Sequence, residues 1–193
     1  MKAAITAYEA LSTEAKAELT TEKTKLYNLL AKIDAYEAEV SIFRANNSDA
    51  LSLTTISVRI DDKADVEAAI TAYDLLSDEA KANLTTEKAL LDSLLIDINS
   101  QEAEVLAFIT DNSVTLGLTV DTVGIDDKSS VTTSLVAYEA LDEKIKDELI
   151  TEKTLLYNLI TIINAYEEEI STFRADYSVP LTLTVNTVEI NDK

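Results

Sequence analysis

Carboxylates and tyrosines are the side chains with which this chain could do chemistry. Histidine, cysteine and tryptophan are absent. That excludes Ser-His-Asp triads, thiol nucleophiles, disulfides and ordinary zinc or haem ligation. Gly117 and Gly124 are the only glycines, so no glycine-rich loop can cradle a phosphate. Three groups remain. The first is Asp61-Asp62-Lys63, repeated as Asp126-Asp127-Lys128 and Asn191-Asp192-Lys193. Calcium wants several carboxylate oxygens, which makes Asp61, Asp62, Asp126, Asp127 and Asp192 weak candidate ligands. The spacing of an EF-hand loop is missing, however, and an Asp pair ahead of a helix is explained by capping.

The second group is Glu167-Glu168-Glu169. A glycosidase needs two acids facing each other across a substrate. Consecutive helical positions point apart and mostly toward water, so no enzyme activity is expected. The third group is aromatic and basic. Tyr27-Asn28 returns as Tyr157-Asn158, and Phe43-Arg44-Ala45 returns as Phe173-Arg174-Ala175. Between them stand Asp92-Ser93 and Phe108-Ile109-Thr110. Two readings compete: alternating packing environments, or a ligand patch made of Tyr27, Arg44, Tyr157 and Arg174. Tyr8, Tyr73 and Tyr138 could stack on sugars, but their helical spacing reads as core. Asn46-Asn47-Ser48 and Asn83-Leu84-Thr85 match the glycosylation sequon and are taken as chance.

These recurrences belong to a repeat. Tyr8, Tyr73 and Tyr138 stand 65 residues apart, and Leu19-Thr20-Thr21-Glu22-Lys23 recurs as Leu84-Thr85-Thr86-Glu87-Lys88 in the same register. Three repeats are expected, at residues 1–63, 64–128 and 129–193. Met1 stands where Val66 and Val131 stand later, so the first repeat lacks its opening two residues. The chain therefore reads as a piece of a longer array, with export signals and anchors outside it. A unit of this size buries only about 60% of its unfolded surface, so packing on neighbouring repeats is the expected remedy.

The net charge is −20, from 36 acidic and 16 basic residues. The acids are spread through all three repeats. Nucleic acid and anionic lipid are disfavoured partners, since both are polyanions. No apolar run approaches the ~20 residues of a membrane span, so membrane insertion is not expected.

Scarce glycine and the single Pro180 favour helices. In the middle repeat, Val66, Ala69, Ile70, Tyr73 and Leu76 form one apolar helical face, and Ser77 suits a cap for a short helix after it. Thr86-Glu87 then opens a long helix to about Asn112, with Leu91, Leu94, Leu95, Ile98, Val105 and Phe108 on one face. The segment from Ser113 to Ile125 is rich in Thr and Val, and Leu116, Leu118 and Val120 alternate. An extended packed connector and a regular strand are both open there. The expected class is mostly α: three tandem helical-hairpin or bundle repeats joined by extended segments, with β as an alternative.

Val120-Asp121-Thr122-Val123-Gly124-Ile125-Asp126-Asp127-Lys128, and the run from Asp62 to Tyr73, resemble a helical tandem repeat of Gram-positive surface and secreted multidomain proteins. The resemblance covers the first helix and its entry in each repeat. It implies an extracellular or cell-wall location, a spacer or stalk role, no cofactor and no catalytic residues. The partners it implies are neighbouring repeats. The alternative is a multivalent adhesin module for a host protein or glycan, using Tyr27, Arg44, Tyr157 and Arg174. A synthetic consensus array is the third reading.

Overall fold

The computed structural model describes residues 1–178 and 180–182. They are mostly helical, and no strand occurs among them. The helices are α1 (Lys2–Glu9), α2 (Thr13–Glu18), α3 (Thr20–Asn46), α4 (Ser48–Ser52), α5 (Lys63–Asp74), α6 (Asp78–Ala82), α7 (Thr85–Asp111), α8 (Ser113–Leu116), α9 (Lys128–Glu139), α10 (Glu143–Glu148) and α11 (Ile150–Asp176). The three long helices, α3, α7 and α11, have 27 residues each.

Short polar caps set the local starts. The Ser12, Ser77 and Asp142 side chains accept from the backbone N–H groups of Ala15, Ala80 and Lys144, and so begin α2, α6 and α10. Each fills one of the unsatisfied donors of a helix N-terminus.

The chain forms two compact units, Met1–Ser100 and Gln101–Lys193. In the first, Phe43 of α3, Val66 and Ala69 of α5, and Leu91, Leu94 and Ile98 of α7 share one core with Ala50, Val58 and Leu84. In the second, Phe108 of α7, Val131 and Tyr138 of α9, and Leu156, Leu159 and Ile163 of α11 share another with Val123, Ile145 and Leu149. The sequence repeats and the compact units are thus out of phase. The repeat limits after residues 63 and 128 fall inside units, and the division between units falls inside α7.

Each core is assembled the same way. It takes the C-terminal part of one long helix, the connector after it, the short helix that follows (α5 or α9), the leucine ahead of the next long helix, and that helix's N-terminal part. Phe43 meets Tyr73, and Phe108 meets Tyr138, both edge-on with ring centroids 6.1 Å apart. An edge-to-face pair suits the ring quadrupoles.

The connectors differ from the extended or β reading. After α8, the Thr119 N–H donates to the Thr122 hydroxyl at 2.9 Å, and the Val123 N–H donates to the Thr119 carbonyl at 3.0 Å. In the first unit, Thr54 N–H donates to the Ser57 hydroxyl at 2.9 Å, and Val58 N–H to the Thr54 carbonyl at 2.9 Å. Hydroxyls and local turns satisfy the backbone, so no sister strand is needed. A 3₁₀ turn, Ile60–Asp62 or Ile125–Asp127, then leads into the next helix. The alternation of Leu116, Leu118 and Val120 does not mark a sheet face, because Val123 is the buried anchor and Val120 is 50% exposed. The third connector lies mostly outside the described residues, with the turn Pro180–Thr182 inside them.

Candidate functional site

The Asp-Asp junctions are organised around backbone hydrogen bonds. Asp62 accepts from the Arg59 N–H, and Asp127 from the Gly124 N–H, each at 2.8 Å. The carboxylate thus reaches back across the 3₁₀ turn rather than forward onto the helix it precedes. Asp61 and Asp126 stay exposed beside them. Asp192 lies outside the described residues. No group of three or more acidic, histidine or cysteine side chains that could hold a metal occurs among the described residues. Calcium takes six to eight oxygens. Each of the two described junctions offers one exposed acid beside one already engaged.

The aromatic and basic candidates also have neighbours. The Tyr27 hydroxyl donates to Glu9, and the Tyr157 hydroxyl donates to Glu139 at 2.8 Å. The Tyr27 bond holds the Glu9 carboxyl below its usual range, helped by the charges of Lys16 and Lys23, and pushes the Tyr27 phenol up. In the middle repeat Asp92 replaces the tyrosine, and it receives Lys88 at 2.6 Å instead. Arg44 donates through Nε to Glu87 at 2.7 Å, with Nη2 at 2.6 Å from the same oxygen. Arg174 makes no ion pair among the described residues. It lines a shallow groove with Ile125, Glu167, Ile170 and Ser171.

Within neither unit do the tyrosine and the arginine form one patch. Tyr27 and Arg44 are 17 positions apart on α3, which is roughly 25 Å along a helix. Tyr157 and Arg174 have the same separation on α11. The structure brings each tyrosine to the first helix of its own repeat and carries each arginine to the far end.

The tyrosines considered for sugar stacking are enclosed. Tyr8 and Tyr138 are buried, and Tyr73 is half-buried. Lys23, Lys88 and Lys153 lie over their rings at 6.0, 5.7 and 5.7 Å. This gives the recurring Leu-Thr-Thr-Glu-Lys lysine a packing role as a cation over an aromatic face. Glu167, in the acidic triplet, forms an ion pair with Lys128.

Sequence reasoning passed over Glu39. Its carboxylate accepts from the Ser77 N–H at 2.9 Å and the Ser77 hydroxyl at 2.8 Å. Glu39 thus doubles the cap at the start of α6 from another helix. The available signal was its recurrence as Glu104 and Glu169 at the repeat spacing. These bonds hold the Glu39 carboxyl below its ordinary value, the backbone N–H having the larger effect. A lowered folded-state value stabilises above the unfolded one and is lost as pH falls through the folded one. Glu39→Gln is therefore expected to lower the melting temperature of the first unit at pH 7, with the gap closing as pH falls into the acid range. Melting followed by circular dichroism between pH 7 and pH 3 checks this; a gap that is constant with pH contradicts it.

No helix of the described residues is long and apolar enough to cross a membrane. No known family model matches the chain, and no curated protein or solved structure matches it.

Proposed function

We propose that the chain is a non-enzymatic spacer, an array of three tandem helical repeats at residues 1–63, 64–128 and 129–193 within a bacterial surface or secreted protein. One observation carries the proposal. Phe43 packs on Tyr73 and Phe108 on Tyr138 at the same 6.1 Å, so the end of one long helix finds its partner in the following repeat. Nearest-neighbour packing of this kind lets length be set by the number of repeats. The net charge of −20 would keep adjacent stalks apart. The resemblance of the Asp62–Tyr73 run to Gram-positive surface repeats supports an extracellular or cell-wall location.

The multivalent-adhesin reading gains no observation of its own, since Tyr27, Tyr157 and Arg44 direct their polar atoms at Glu9, Glu139 and Glu87.

A spacer must lengthen in proportion to its copies. Chains with one and two further 65-residue repeats, studied by small-angle X-ray scattering, are expected to gain a constant increment in maximum dimension. The length of one long helix, about 40 Å, sets an upper bound on the gain per repeat. A maximum dimension rising only as the cube root of mass would sink the spacer reading.

A further inference from the structure

In the second unit, α7 and α9 leave a groove of about 430 Å³ between them. That lies within the range of small-molecule clefts, about 300–1,000 Å³. Ala107, Phe108, Ala137 and Leu141 give it an apolar floor. Both helices are interior to the chain, so the opening does not depend on where the chain begins or ends. Two carboxylates stand at the rim, Glu104 and Asp111. They are seven positions apart on α7, hence on one helical face and about 10 Å apart along it. Neither makes an ion pair among the described residues, and no basic side chain lines the groove. The other polar lining groups are engaged locally. The Asn112 amide donates to the Phe108 carbonyl and the Thr133 hydroxyl to the Ser129 carbonyl, each at 2.8 Å.

The first unit builds the matched face differently. Glu39, matched to Glu104, is drawn onto Ser77, while Ile42 replaces Ala107 and Asn46 replaces Asp111. In the second unit Asp142 stands in the place of Ser77 and has no hydroxyl to donate, which leaves Glu104 at the groove.

We propose that the groove between α7 and α9 binds an elongated aliphatic diamine, with its hydrocarbon middle on Phe108, Ala137 and Leu141 and its two ammonium groups at Glu104 and Asp111. Charge complementarity specifies this occupant. An anion would meet two carboxylates and no cation, on a chain that already carries a charge of −20. A neutral apolar molecule would cover the floor but leave both acids unanswered. A cation at each end with hydrocarbon between them satisfies the rim and the floor together. An extended chain of seven methylene groups between two amines spans roughly 10 Å, which matches the separation of the acids. The ends of the ligand sit in water, so each ion pair contributes modestly and is weakened by salt. The inference rests on the groove alone and stands whether or not the array serves as a spacer.

The test is a titration of the 193-residue chain with the terminal diamine of heptane, followed by backbone amide shifts in nuclear magnetic resonance at low salt. Saturable shifts are expected in the C-terminal half of α7 and in α9. The matched stretches of α3 and α5 serve as an internal control and should stay still. Heptylamine, with one charge, is expected to bind about three- to fivefold more weakly, and the neutral terminal diol of heptane more weakly still. Glu104→Gln and Asp111→Asn are each expected to weaken the diamine by a similar factor. Ala107→Ile keeps both charges and fills the groove with the side chain that the first repeat carries at Ile42, so it is expected to weaken the diamine about fivefold or more. All three positions are exposed, and circular dichroism would verify that each variant folds. Absence of saturable shifts overturns the inference. So do shifts spread over the acidic surface, equal affinity for diamine and monoamine, or full affinity in Ala107→Ile.

Discussion

Phe108→Ala is expected to destabilise the second unit by about 3–5 kcal/mol, while Phe173→Ala changes stability by less than about 0.5 kcal/mol. The two residues occupy matched positions near the ends of α7 and α11. Phe108 is 5% exposed, edge-on to Tyr138, in a core with Val123 and Leu156. Removing its ring deletes a large apolar surface and leaves a cavity that close-packed neighbours fill only partly. Phe173 is 54% exposed and touches Tyr177, with centroids 4.9 Å apart. Its loss removes little that is shielded from water. Urea titrations followed by circular dichroism would measure both variants. Equal costs would mean that the two long helices end in similar surroundings, contrary to the packing described above.

The second large effect belongs to a connector. Val58→Asp is expected to cost the first unit about 4 kcal/mol or more, whereas Ile56→Asp stays within about 0.5 kcal/mol. Val58 is completely buried among Phe43, Val66 and Leu91, and Ile56, two residues earlier, is 86% exposed. A carboxylate at Val58 would have to lose its water or expel the connector from the core. Domain stability totals only about 5–15 kcal/mol, so that loss consumes much of it. Comparing the two variants in urea also separates the observed turn from a strand. In a strand, residues two apart share a face and would be affected alike.

Much of the architecture was legible. The spacing of Leu91, Leu94, Leu95 and Ile98 announces a long helix, and Ser77 marks the restart at α6. Which half of each long helix lies buried was not legible. Leu29, Leu94 and Leu159 sit on the same helical wheel with the same side chain, yet Leu29 is exposed and the other two are buried. Their difference comes from the segment that precedes each long helix by tens of residues, and no local pattern records it. The connector misled for a different reason. Thr and Val favour strands by composition, but here Thr54, Ser57, Thr119 and Thr122 use their hydroxyls to close turns.

The candidate site was readable only as a pattern of substitutions. Tyr27 and Tyr157 accompany Glu9 and Glu139, while Asp92 accompanies Asp74. Those pairs prove to be contacts in the first and third repeats, whose hydroxyls meet carboxylates eighteen residues away. Neither residue of a pair has an unusual neighbour in sequence, so the partnership shows only when the repeats are compared or the helices are seen to pack.

The offset between repeat and core has a genetic consequence. Each core draws on the tail of one repeat and the head of the next, as with Phe43 and Leu91 or Phe108 and Leu156. Unequal crossing-over between two repeats at matched codons deletes or duplicates whole periods of 65 residues. Wherever the exchange falls, every interior core still receives one long-helix end, one connector and one long-helix beginning. A change in repeat number by such an exchange would therefore leave no interior fold incomplete.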